Sequence, residues 1–226
     1  MAVTRLVVAS LGFDEKLVVR SLIGLGLQVD DVILLVYVEP FEEISRAKVL
    51  NALKSVVELF KPIVSDVHKL AVSGRSLRDD LVLIAKNLKE VVEEKDVREV
   101  VVVLVGGMRI LIPLLITSTL LIAARKNVNV SFIFAREDGL YSFTLGPEYL
   151  KTPSVGPREA ELLKVIHSME GAQRGRIVEQ AVARLGVAQS MVYRMFYSLQ
   201  KKGLIEVTEK AYVRLTPLGR ALVEIL

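Results

Sequence analysis

Apolar residues in the first two thirds of the chain follow two rhythms. Near-continuous apolar runs inside TRLVVASLGF (4–13, ending at Gly12), DDVILLVYVEP (30–40, stopped by Pro40) and VREVVVVLV (97–105) leave little room for polar positions. Runs of this kind suit strands buried on both faces. Between them, apolar positions repeat at helical spacing. Leu17, Val18, Leu22 and Leu25 form one such set, and Ile44, Val49, Leu53, Val56 and Val57 form another. PIVSDVHKLAVS (62–73) alternates well enough for a third strand, and Gly74 breaks the pattern. A helix then opens at SLRDDLVLIAKNLKEVV (76–92), with Ser76 as its N-cap.

After the fourth strand comes an apolar segment, Ile110–Ala124, interrupted only by Thr117, Ser118 and Thr119 apart from Pro113. As a first-turn proline, Pro113 predicts a helix starting near itself. NVNVSFIFARED (127–138) and GLYSFTLG (139–146) predict a closing hairpin around Asp138–Gly139. Strands alternating with helices predict the α/β class, with a mostly parallel Rossmann-like sheet covered on both faces. The expected strand order is 3-2-1-4-5-6.

The pattern changes after residue 150. KTPSVGP (151–157) carries two prolines and a glycine, so a linker is expected over 151–156. Residues 1–150 then form one domain and 157–226 a second, smaller one. In the second, three amphipathic helices (158–169, 174–185 and 187–202) are followed by two short strands about Glu209–Lys210 and a final helix. Gly186 supplies a tight turn between the second and third helices. Leu185, Val187, Val192, Met195, Leu199 and Leu204 have the spacing of a packed helix-turn-helix core.

Composition removes several classes of function. The 226 residues include no cysteine, which excludes disulfides and thiolate metal sites and is compatible with a cytoplasmic protein. The N-terminus lacks the long apolar centre of a signal peptide. A membrane span through Ile110–Ala124 falls short of about 20 apolar residues. Extending it backward would bury Arg109 and two glycines in lipid, so no membrane partner is expected. His68 and His167 lack metal-ligand spacing, and no metal is expected.

Charge separates the domains. Residues 154–226 hold eleven Lys/Arg against seven Asp/Glu, a net of +4, whereas residues 1–153 hold nineteen of each. The excess points to a polyanionic partner for the second domain alone. Its third helix presents Gln189, Ser190, Tyr193, Arg194 and Tyr197 opposite its apolar face. Gln189 can pair with adenine and Arg194 with guanine in a major groove. Arg174, Arg176, Lys201, Lys202, Lys210 and Arg214 are candidates for phosphate contacts on double-stranded DNA. This region resembles the winged helix-turn-helix domains of prokaryotic regulators, through GVAQSMVYRMFYSLQKKGLIE and YVRLTPLGRAL. A basic helix used for dimer packing is the plainer alternative.

In the first domain the expected strand order reverses between strands one and four, where ligands bind beyond the strand ends. The loops there are SLGFD and VGGMR: Ser10, Leu11, Gly12, Phe13 and Asp14 on one side, with Gly106, Gly107, Met108 and Arg109 after Val105 on the other. Glycine lets main chain approach a ligand, helix starts attract phosphate, and Arg109 adds a charged fork. Gly106 and Gly107 can equally serve only to turn the chain from strand to helix.

VVASLGFDEKLVVRSL and VVLVGGMRILIPLLI resemble the CRISPR-associated Rossmann-fold (CARF) domain. With the second domain, nearly the whole chain resembles archaeal CRISPR-associated regulators of the CARF plus winged-helix type. The resemblance implies a homodimer that binds a cyclic oligoadenylate, commonly the cyclic tetra-adenylate, across its two-fold seam. It implies no other cofactor, and places the two glycine loops at the ligand, with Phe41 and Arg46 after strand two as a cover. A transcriptional regulator in antiviral defence is the function it implies. Two alternatives remain. Some such domains cleave their ligand, for which Ser10, Lys16 and Arg109 are the available groups, and no catalytic residue is assigned. The other is a scaffold that docks an acidic protein or RNA on the basic helix.

Overall fold

The computed structural model describes residues 4–126, 128–135, 142–146 and 154–226. The chain divides into two compact units, Met1–Pro147 and Glu148–Leu226.

The first unit runs β1 (Arg5–Leu11), α1 (Lys16–Gly24), β2 (Val32–Val38), α2 (Glu43–Phe60), β3 (Asp66–Val72), α3 (Leu77–Glu94), β4 (Glu99–Leu104), α4 (Leu111–Lys126), β5 (Asn129–Ala135) and β6 (Ser142–Leu145). One sheet holds all six strands in the order β3-β2-β1-β4-β5-β6. Only the β5–β6 pairing is antiparallel. The turn expected around Asp138–Gly139 lies outside the described residues. β1 is central: Leu6 stands opposite Val32 on one side and Val100 on the other.

Strand alternation splits the core. Val7, Ala9 and Leu11 pack with Ile33, Leu35, Val101 and Val103 against residues of α1 and α2. Leu6, Val8, Val100 and Val102, on the opposite face of their strands, are also fully buried. The doubly covered sheet follows, and it explains why the strand sequences carry so few polar positions.

Helix starts follow local chemistry. The Ser76 hydroxyl accepts a hydrogen bond from the Asp79 amide at 3.3 Å, as expected for the α3 N-cap. α4 begins at Leu111, two residues before the start expected from Pro113. Proline is tolerated there because amides of the first turn have no intrahelical acceptor to lose.

The second unit comprises α5 (Pro157–Ser168), α6 (Arg174–Leu185), α7 (Gln189–Lys201), β7 (Ile205–Val207), β8 (Val213–Leu215) and α8 (Pro217–Ile225). Gly186 closes α6 with φ of 63°, the left-handed conformation glycine adopts freely. Leu162, Ile166, Ile177, Val192, Leu199 and Leu204 join one core, with Leu185 and Val187 packed at its edge. Phe196, a further core residue on α7, is also buried.

Glu159 ties α5 to the end of α7. Its Oε2 accepts from the Gly156 amide at 3.0 Å and lies 2.7 Å from Lys202 Nζ. Burial works to raise its pKa. Hydrogen bonds from Lys202, Ser198 and the Gly156 amide, with the Lys202 charge, outweigh that effect and hold the carboxyl below its ordinary value. A group lowered in the folded state contributes its stability above the unfolded pKa and loses it as pH falls through the lower folded value. Glu159→Gln is therefore expected to cost about 1 kcal/mol or less near neutrality. The gap from wild type should close as acid protonates Glu159. Thermal melts at a series of pH values between neutrality and the acid side of the glutamate range check this.

Candidate functional site: the glycine rim and a basic face

β1 and β4 are neighbours and parallel, so their following loops leave the sheet at the same end. The main chains of those loops touch. A Cβ at Gly12 would lie 2.8 Å from both Cα and N of Gly107. A Cβ at Gly107 would lie 2.9 Å from the Leu11 carbonyl oxygen, and its φ is 84°. Both positions therefore need glycine, one for space and the other for space and conformation. Gly106 differs: a Cβ there would meet Ser10 O and Val18 Cγ2 at an ordinary 3.4 Å.

The rim is open around this contact. Phe13 is 55% exposed, Met108 51% exposed, and Arg109 is exposed. No carboxylate of the described residues forms a salt bridge with Arg109. The α4 first turn carries no acid, so nothing there offsets the positive helix end.

Three expected rim residues stand differently. The Ser10 side chain is fully buried, and its hydroxyl donates to the Val103 carbonyl at 3.3 Å. Leu11 is 1% exposed and belongs to the core. Their side chains fill the sheet, and only their main chain borders the rim. Asp14 is exposed, but its Oδ1 accepts from the Lys16 amide at 2.9 Å. It lies one residue ahead of the Glu15 N-cap and puts a negative charge at the start of α1, so that helix start does not offer an anion site. Arg46 is also committed, with Nη2 3.0 Å from Glu39 Oε1.

In the second unit, Gln189, Ser190, Tyr193, Arg194 and Tyr197 are all exposed on α7. Lys201 is exposed beyond them. Arg194 and Ser190 border a cavity of about 370 Å³ that Glu159 and Met195 also line. Arg174 and Arg176 open α6, whose first turn holds no acid. Two cations at a helix start run against the helix dipole, an arrangement that an external anion relieves. The Arg174 amide donates to the Ala211 carbonyl at 2.8 Å, which brings it beside Lys210 in the β7–β8 turn. Its guanidinium stands 5.5 Å from the Tyr193 ring centre. Arg174, Lys210 and Tyr193 are thus gathered from three elements. Lys202 is not part of this face, because Glu159 holds it. Arg214 is exposed and stands opposite Glu206 across the hairpin, which lowers the local positive field.

His68 lies beside Asp66, and His167 is exposed on α5. Among the described residues, no group of His, Asp and Glu is placed to hold a metal, and no helix is long and apolar enough to cross a membrane.

A family model described as the Csa3 CRISPR-associated Rossmann-like domain matches residues 5–143. No curated protein matches the chain at a significant level. Among solved structures, Enterococcus italicus Csm6 bound to cyclic hexa-2'-fluoro-hexa-dAMP is similar over 89% of this chain and 54% of that chain, with 9% identity and a TM-score of 0.47. The A40926 pseudoaglycone deacetylase Dbv21 is similar over 69% of this chain and 70% of that chain, with 15% identity and a TM-score of 0.41.

Proposed function

The chain belongs to the Csa3 family of CRISPR-associated Rossmann-like domains, and from that premise we propose that it is a homodimeric sensor of cyclic oligoadenylate that regulates transcription through its second unit. The observation that carries the sensing half is the contact of Gly12 with Gly107 beside an exposed Arg109, at the point where the sheet order reverses. Main-chain amides and one guanidinium per subunit can hold phosphates there even though residues 1–153 carry no net charge. The outer side of α4 supports the dimer. No charged side chain occurs from Ile110 to Ala124, yet Pro113, Thr117, Leu121 and Ala124 are exposed. A helix without a polar face belongs under cover, and a second copy provides it.

Binding, not catalysis, is the proposed role of the rim. The Ser10 hydroxyl is fully buried and spent on the Val103 carbonyl, which argues against one of the three groups available for cleaving a cyclic ligand. Calorimetry with the cyclic tetra-adenylate and its larger ring tests the sensor. The expected result is one ligand per two chains, and a loss of about 100-fold in affinity in Arg109→Ala, in keeping with a charge-assisted phosphate contact. Indifference of the wild-type protein to every ring size would sink the sensing half.

For the regulatory half, we read the second unit as a winged helix-turn-helix, with α7 entering the major groove and the β7–β8 hairpin as the wing. The exposed polar line of α7 and the gathering of Arg174, Lys210 and Tyr193 support this. Ligand can regulate only by binding two dimer arrangements with different affinity. Arg194→Ala is expected to weaken specific duplex binding by about 1–3 kcal/mol and to relax preference at one base pair. Unchanged sequence preference in a pool of duplexes would remove Arg194 from base reading. Equal retention of all duplexes would instead favour a protein or RNA scaffold on the same face.

A further inference from the structure

The open rim continues past the glycine turns. β1, β2, β3 and β4 are parallel, so the loops after β2 and β3 rise from the same end of the sheet as Gly12 and Gly107. β2 lies about 5 Å from β1, and β3 about 10 Å. In the loop after β2, Phe41 is 77% exposed. In the loop after β3, the Arg75 guanidinium lies over the Phe41 ring, 3.6 Å from its centre.

This stack is held from below. Asp80 is 3% exposed, and its carboxylate accepts from the Ser73 amide at 2.8 Å, the Ser73 hydroxyl at 3.0 Å and the Gly74 amide at 2.8 Å. The Glu39 amide donates to the Val72 carbonyl at 2.9 Å and joins the two loops. Asp80 thus spends its charge on the loop, while Glu39 spends its own on Arg46. No carboxylate of the described residues forms a salt bridge with Arg75. A planar cation, itself exposed, therefore covers one face of an exposed aromatic ring on a fixed base.

Nucleobases stack on phenylalanine rings and on guanidinium planes alike. We propose that the Arg75–Phe41 pair is a nucleobase subsite, which takes a purine of the same oligonucleotide whose phosphates lie at the glycine rim. This inference rests on the nucleotide reading of that rim, and it extends the site across β2 and β3. It also assigns the cation beside Phe41 to Arg75, not Arg46.

The chain has no tryptophan, so Phe41→Trp creates a single fluorescent reporter at an exposed position. Its emission is expected to be quenched when the cyclic tetra-adenylate is added. In calorimetry, Phe41→Ala and Arg75→Ala should each weaken that ligand by roughly tenfold or more, the effect of removing one stacked base. Arg75→Lys keeps the charge and removes the plane. It should behave like Arg75→Ala, and wild-type affinity in Arg75→Lys would overturn the stack. Full affinity in Phe41→Ala with loss in Arg109→Ala would also overturn it, and would leave the sensor reading standing. If no cyclic ligand binds the wild type but linear tetra-adenylate quenches Phe41→Trp, the stack stands and the ring sensor falls. No quenching by either nucleotide overturns the stack.

Discussion

Gly107→Ala is expected to lower the thermal midpoint of the first unit by roughly 5–15 °C, the equivalent of about 2–4 kcal/mol. Two costs add. A side chain at φ of 84° is strained in any surroundings. The new Cβ also meets the Leu11 carbonyl at 2.9 Å, and that main-chain atom belongs to the buried end of the central strand and cannot swing aside. Its contact with Leu111 Cδ1 at 3.0 Å is cheaper, because a leucine end can turn. Gly12→Ala fails for a related reason, with its Cβ pressed onto Gly107 main chain. Because both variants strain one contact, their costs should not add in the double variant, which a double-mutant cycle would read as coupling. Gly106→Ala serves as the control and should melt within about 1 kcal/mol of wild type, since it meets only ordinary contacts. In the rim variants, ligand affinity should fall even at temperatures where the fold is intact, because the loops that border the site have been pushed apart. Wild-type melting of both alanine variants would show that the loops are not in contact.

The sheet was legible because hydrophobic rhythm reports burial, and burial on both faces implies helices above and below. The strand order followed from the Rossmann-like template, since right-handed crossovers alone allow other doubly wound orders. What rhythm does not report is which main chains meet. Gly12 and Gly107 were visible as glycines, but their contact joins loops far apart in sequence. Ser10 was misjudged because its direction depends on the pleat: residues 6, 8 and 10 face away from 7, 9 and 11, and a strand end gives no sign of which set is the last to reach solvent. Asp14 was visible only as an acid in the first loop; that its carboxylate turns back onto the Lys16 amide, and so puts a negative charge where an anion would sit, depends on local geometry that composition does not carry. Pairings across strands or helices were equally hidden. Arg75 finds Phe41 only because β3 lies against β2, and Lys202 is withdrawn from the basic face only because α7 ends beside Glu159.

Gly219→Ala, in the second unit, should have a larger effect than Gly107→Ala. A Cβ at Gly219 would lie 1.9 Å from the Leu204 carbonyl oxygen and 2.9 Å from its carbon. Leu204 cannot yield. It is fully buried, its amide donates to the Leu199 carbonyl at 3.0 Å, and its carbonyl accepts from the Thr216 amide at 3.1 Å. The Thr216 hydroxyl completes the knot: it donates to the Gly203 carbonyl at 2.6 Å and accepts from the Gly219 amide at 3.0 Å. These bonds seat the start of α8 on the turn between α7 and β7, so alanine must lift α8 or open that turn. A cost of about 4 kcal/mol or more is expected. For a unit of this size, that lowers the midpoint by roughly 15–30 °C. Gly175→Ala, with open space around its new Cβ, should instead be neutral or stabilising by up to about 1 kcal/mol. The two units have separate cores, so nucleotide binding at the glycine rim should survive Gly219→Ala while duplex binding through α7 is lost. Loss of both together would mean that the rim depends on the second unit for its shape, and wild-type melting would mean that α8 does not rest on Leu204.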